Sequence, residues 1–107
     1  MSPAAAALAS GRDTLLGTHG EPLQFRVGEA GETTVTGVVY RNAEEDREDM
    51  TNFTDRDFSR IRIAPMTPEP QAGEVFIDED GRYHRIVKTR NVARIWFMCW
   101  CEIAAAA

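Results

Sequence analysis

Ile95-Trp96-Phe97-Met98-Cys99-Trp100-Cys101-Glu102-Ile103 carries a single charge and is otherwise aromatic, branched aliphatic or sulfur-bearing. The stretch is too short to cross a bilayer as a helix. Residues of this kind suit a pleated, buried strand; Asn91 before them and the alanines 104–107 after them mark its ends. Alternation puts Ile95, Phe97, Cys99, Cys101 and Ile103 on one face, and Trp96, Met98, Trp100 and Glu102 on the other. One face can close a small β-core. The other is almost as apolar and needs a second cover, from a helix of the same chain or from a partner.

Upstream, the punctuation is that of short strands. Pro22 to Val27 reads as a strand with Leu23, Phe25 and Val27 on one face, followed by a turn at Gly28-Glu29-Ala30-Gly31. Thr33 to Tyr40 is the second strand, with Gly37 as a bulge or bend. Phe58 to Ala64 is the third, with Phe58, Arg60 and Arg62 opposite Ile61 and Ile63. Pro65, Pro68 and Pro70 stiffen the connector to a fourth strand, Glu74 to Asp78. Asp80-Gly81 is a hairpin turn leading into a fifth strand, Arg82 to Thr89, and a tight turn near Arg90-Asn91 leads into the last. Ser2 and Pro3 form a helix start, and the alanine-rich run that follows is a helix over 1–17 ended by Gly17. Its thin stripe of Leu8, Leu15 and Leu16 is a candidate cover for the last strand. The expectation is one mainly-β domain over 1–107: a six- to seven-stranded barrel or sandwich with an N-terminal helix and a long loop, 41–57, between strands two and three.

At 107 residues the chain can bury a modest core. A net charge of −5 argues against a dedicated duplex-DNA binder. The charge is uneven. Arg41 to Asp57 holds seven acids and three bases, and Arg82 to Arg94 five bases and no acid. Opposite patches on one small body suit head-to-tail contacts. Cys99 and Cys101, two apart on one strand, are expected as reduced core thiols in a protein made in the cytoplasm. The small-residue start lacks a basic leader and a strong apolar stretch, so neither export nor a membrane span is expected.

Catalytic motifs are missing: there is no G-x-S-x-G, Walker loop or H-E-x-x-H. Cys99, Cys101, His19 and His84 have no zinc-module spacing, and a C-x-C between tryptophans reads as core. His84 reads as a surface strand residue and His19 as a loop residue. No metal, cofactor or enzymatic activity is expected. The run Glu44, Glu45, Asp46, Arg47, Glu48, Asp49 reads either as a solvated loop or as a functional one, mobile until a partner orders it, with Met50 and Phe53 as anchors. In the basic run, Arg82, His84, Ile86, Lys88 and Arg90 fall on one face, and Tyr83, Arg85 and Val87 on the other. That run has three readings: a charged strand face that blocks edge aggregation, a surface for the acidic loop of a neighbouring copy, or a nucleic-acid groove with Tyr83 for stacking.

From Leu15 to Ile103 the order of features resembles the head–tail joining (head-completion or stopper) proteins of long-tailed bacteriophages and gene transfer agents. An alanine-rich helix leads into a strand pair ending Gly37-Val38-Val39-Tyr40, then a long polar loop. Arg60-Ile61-Arg62-Ile63, Gly73-Glu74-Val75-Phe76-Ile77 and Tyr83-His84-Arg85-Ile86-Val87 follow. The resemblance implies a small β-barrel virion subunit, assembled in the host cytoplasm, that forms a sixfold or twelvefold ring under the portal and its adaptor. Such a ring closes the DNA exit after packaging and presents the surface for tail attachment, while duplex DNA passes its lumen without specific binding. By position, Glu44, Glu45, Asp46, Glu48, Asp49, Met50 and Phe53 would form the channel or gate loop. Arg82, Arg85, Lys88, Arg90, Trp96 and Trp100 would meet neighbouring copies or the adaptor. Tail-tube or tail-terminator proteins are the alternative, and a single-stranded nucleic-acid-binding OB-like module is a third reading.

Overall fold

A computed structural model describes residues 3–26, 32–52, 54 and 56–104. Helix α1 spans Pro3–His19. Six strands follow: β1 Glu21–Arg26, β2 Glu32–Arg41, β3 Phe58–Ile63, β4 Val75–Ile77, β5 Tyr83–Val92 and β6 Trp96–Ala104. They close a barrel in the order β1-β2-β3-β6-β5-β4, every pairing antiparallel. Closure leaves the sheet no free edge. The expected β-barrel with an N-terminal helix is thus present. No helix among the described residues is long and apolar enough to cross a membrane.

The alternation in β6 holds: Phe97, Cys99, Cys101 and Ile103 are buried on the inner face. Phe97, Cys99 and Cys101 join Leu23, Phe25, Ile61, Ile63, Phe76 and Ile86 inside the barrel. Gly37 is not a bulge, as its pairing runs in regular register from Glu21 on β1 to Ile63 on β3. A Cβ there would meet Ile61 and Leu23 at 3.0 Å, so glycine serves the close approach of side chains. The β5–β6 turn is at Ala93-Arg94, not Arg90-Asn91. Both residues have positive φ (54° and 60°), and Ile95 N–H closes on Val92 O at 2.9 Å, so residues 93–95 make the connection between the paired Val92 and Trp96. Val27 and the Gly28–Gly31 turn lie outside the described residues.

Two expectations about the flanking segments are corrected. The helix continues through Gly17 to His19 and ends where Gly20 N–H reaches Leu16 O at 2.9 Å. It does not cover β6. It lies beside β2, where Leu16 lines a shallow hollow with Val35, Thr36, Ile63, Ala64, Pro65 and Met66. No residue of α1 is buried, and Leu8 is 58% exposed. A one-residue link to β1 holds the helix at that end of the barrel, and its contact near β6 is Arg12 Nη1 donating to Ile95 O at 3.1 Å, just ahead of the strand.

The two glycines should respond oppositely to alanine. Gly17 has open space around it in an exposed helix, so Gly17→Ala should stabilise by about 0.5–1 kcal/mol. A Cβ at Gly20 would collide with the Leu16 carbonyl and sit 2.6 Å from Thr36 Cγ2, so Gly20→Ala should destabilise by about 1–3 kcal/mol. Urea midpoints of the two variants measure this. Equal effects would contradict the observed helix end.

Candidate functional site

The stretch 41–57 is not the structureless loop that its composition suggests. Glu44–Asp46 forms a 3-10 turn and Arg47–Met50 one turn of helix, α2. The turn lies against the outer face of β3, β6 and β5. Met50 is 0% exposed and packs on Phe58 and Trp100, with Val87 and Met98 at the margin. Asp46, 4% exposed, accepts from the Trp100 indole N–H at 3.4 Å and faces Arg60 Nε at 3.4 Å. Glu45 pairs with Arg60 Nη2 at 2.7 Å, and Asp49 with Lys88 at 4.0 Å. Glu44, its side chain 87% exposed, turns outward with Glu48 and holds Arg47 at 3.0 Å. The outer face of β6 is therefore covered at Trp100 by this acidic turn. Phe53 lies outside the described residues.

A change of register explains why the basic residues gather here. β5 slips by one residue between Ile86 and Lys88, so Ile86 opposes Cys101 inside while Lys88 opposes Trp100 outside. The parity expected for Arg82 to Arg90 is corrected accordingly: Lys88 and Arg90 share the outer face with Arg85, whereas His84 and Ile86 point inward. Arg85 pairs with Glu102 at the edge of that face. Arg82 lies apart, in the turn that precedes β5, where its N–H donates to Asp78 Oδ1 at 3.0 Å. Trp96 is half-buried, with the Arg62 guanidinium 4.1 Å from its ring centre. Lys88 Nζ stands 4.7 Å from the Trp100 ring, and Arg60 4.7 Å from Tyr40. Cations and rings thus interleave across four strands, β2, β3, β6 and β5, in cation–π pairs.

A second cluster lies inside the barrel and was not foreseen. His84 is a buried residue at 0% exposure, which corrects its reading as a surface histidine. Its Nδ1 is 2.7 Å from Ser59 Oγ and its Nε2 2.8 Å from Asp78 Oδ2. Arg41 Nη2 reaches Asp78 Oδ2 at 3.3 Å and Glu21 Oε1 at 2.6 Å. Burial lowers the His84 pKa despite the neighbouring carboxylate. Burial pushes Asp78 upward, but His84, the Arg82 N–H and Arg41 outweigh it and hold the carboxyl below its ordinary range. The consistent arrangement is a neutral imidazole that donates from Nε2 to an ionised Asp78 and accepts from the Ser59 hydroxyl. The residue types are those of a hydrolytic triad, but Ser59 is 0% exposed and no substrate can reach its oxygen. The cluster is a polar cross-link between β2, β3, β5 and the β4–β5 turn. Alternation carried the signal: Ser59 is in phase with Ile61 and Ile63, and His84 with Ile86.

The thiols are sealed too. Burial pushes Cys99 up to about 12 and Cys101 well above its ordinary value. A protonated buried thiol is a poor nucleophile. Among the described residues, no three His, Cys, Asp or Glu side chains are grouped as metal ligands.

The His84 cluster has a pH signature. A base with a lowered folded pKa binds fewer protons folded than unfolded, so its contribution is fully present above its ordinary value of about 6.5 and is lost as pH falls below that value. Asp78 acts in the same direction below its own ordinary value of about 3.9. Unfolding free energies from urea titrations should hold above pH 7 and fall between pH 6.5 and the folded pKa of His84, by at most about 1.4 kcal/mol per pH unit per group. Replacing Ser59 with Ala should leave that slope in place, and His84→Leu should flatten it. A slope unchanged in His84→Leu would assign the pH dependence elsewhere.

Comparison with family models, with curated proteins and with solved structures finds no match to this chain.

Proposed function

We propose that the chain is a structural subunit that assembles with copies of itself into a ring, in the manner of the head–tail joining, or stopper, proteins that its layout resembles. The observation that carries this reading is α1: seventeen residues, none buried, with Leu8 in solvent. Helices in proteins gain most of their stability from the packing of one face. An alanine-rich helix that touches its own barrel through Arg12 and Leu16 but leaves Leu8 in solvent is suited to lie against a neighbour. A contact between α1 and a neighbouring copy is heterologous, and it closes into a ring when the rotation allows.

On this reading the outward acids Glu44 and Glu48 face the lumen, where like charge keeps duplex DNA from sticking to the wall. Arg85, Arg90 and Trp96 serve the neighbouring copy, or the portal and adaptor above and the tail proteins below. No catalytic residue is assigned. One observation favours a second reading, a single-stranded nucleic-acid module: the stacked pairs Arg62–Trp96 and Arg60–Tyr40.

Leu8→Glu tests the first reading, because it alters a solvent-exposed side chain and leaves the barrel alone. The variant should melt with the parent protein, fail to form rings in electron micrographs, and yield filled heads without tails in particles that carry it. Rings and tailed particles at the parent level would overturn the assignment. Salt-sensitive binding of single strands in place of rings would favour the second reading.

A further inference from the structure

The acidic turn sits on its own barrel by a contact that is matched in charge yet loosely made. Three carboxylates face two cations, and one side chain, Met50, fills the gap between Phe58 and Trp100. Exposed pairs of this kind are worth little: the Glu45 and Asp49 side chains are 65% and 61% exposed. Asp46 Oδ2 and Arg60 Nε are buried 3.4 Å apart without forming a hydrogen bond, although each remains unsatisfied. Buried polar atoms left in this state weaken the docked form. The base of the segment is firm by contrast. Asn42 N–H donates to Phe58 O at 2.8 Å, and Phe58 N–H to Asn42 Oδ1 at 3.0 Å. Asn42 itself has φ 51°, a bend beyond which the turn can leave the face while β2 and β3 stay paired.

Once the turn leaves, Phe58, Trp100 and Met50 lose their cover, and the face demands an occupant of one chemistry: carboxylates spaced for Arg60 and Lys88, with an apolar side chain between them. A polynucleotide offers phosphates but nothing for the Met50 gap. Every copy of the chain carries both the face and the segment that fits it. We propose that the face formed by Phe58, Arg60, Lys88 and Trp100 is an exchange site, which takes the Glu44–Met50 turn of a second copy in place of its own. Exchange needs no contact beyond those already present, the usual reason that swapping is a low-cost route to assembly. The inference rests on the assembling-subunit reading and supplies the link between neighbours.

Lys88 is the sole lysine in the sequence, so a zero-length carbodiimide coupling at this face has one side-chain amine to use. Equal amounts of full-length chain, one ¹⁵N-labelled and one unlabelled, are mixed at high concentration and coupled, and the Lys88–Asp49 peptide is read by mass spectrometry. Exchange gives peptides with one labelled and one unlabelled half, increasing with protein concentration and absent in Lys88→Arg. Crosslinks that remain within one isotope at every concentration would overturn the proposal. So would loss of the crosslink on adding oligo-dT without mixed peptides, which would give the face to nucleic acid. Micrographs of the same mixture separate this proposal from the connector reading. Rings without mixed peptides refute exchange alone. Mixed peptides without rings uphold exchange and refute the connector.

Discussion

The structure depends on one demand: β6 is apolar on both faces, and both must be kept from water. The inner face is satisfied by closing the sheet into a barrel, with Phe97, Cys99 and Cys101 packed among Phe25, Ile61 and Phe76. The outer face is satisfied by an acidic turn that contributes Met50 and seats its carboxylates on the cations flanking Trp100. Burying a side chain such as Met or Trp from water is worth about 1.5–3 kcal/mol. That is enough to hold the turn in place without making it part of the core. Two consequences follow. The most acidic stretch of the chain ends up beside its most basic strand, which reduces the bipolar character visible in the sequence. The turn is also attached by side chains alone, since its departure disturbs no strand pairing.

The barrel interior carries a different constraint. Ser59, His84 and Asp78 are buried polar groups in an apolar core, and each must find a partner there. They find one another, and Arg41 carries the chain of contacts out to Glu21 at the surface. Asp78 Oδ1 also accepts the N–H groups of Asp80 and Arg82, so the same carboxylate shapes the β4–β5 hairpin and anchors the imidazole. Such a network fixes the register of the strands it joins, because a slip by one residue would turn Ser59 or His84 to the wrong face.

Much of the fold could be read from the residues. The alternation of β6 and β3, the hairpin turn at Gly81 with its φ of 80°, and the N-terminal helix all follow from local pattern. Errors arose where a long-range contact decided the outcome. The slip at Ile86/Lys88 has no local marker, and without it Lys88 and Arg90 fall on the wrong face. The acidic segment lacks periodicity because one helical turn is too short to show any, and its order comes from Trp100 and Arg60, far along the chain. Gly17 resembles a helix stop, yet Gly20 is where the backbone of the helix meets β2. Of the candidate site residues, Arg85, Lys88, Arg90, Trp96 and Trp100 share one face, Asp46 and Met50 lie on it as its cover, and Arg82 lies elsewhere.

The most direct test of the docked acidic turn uses the two indole N–H groups of the free protein. In ¹H–¹⁵N spectra, the Trp100 indole should exchange slowly with water and shift in Asp46→Asn, while the Trp96 indole exchanges faster and stays in place. Two rapidly exchanging indoles, neither moved by Asp46→Asn, would mean that the outer face of β6 is open and that the turn is not its cover.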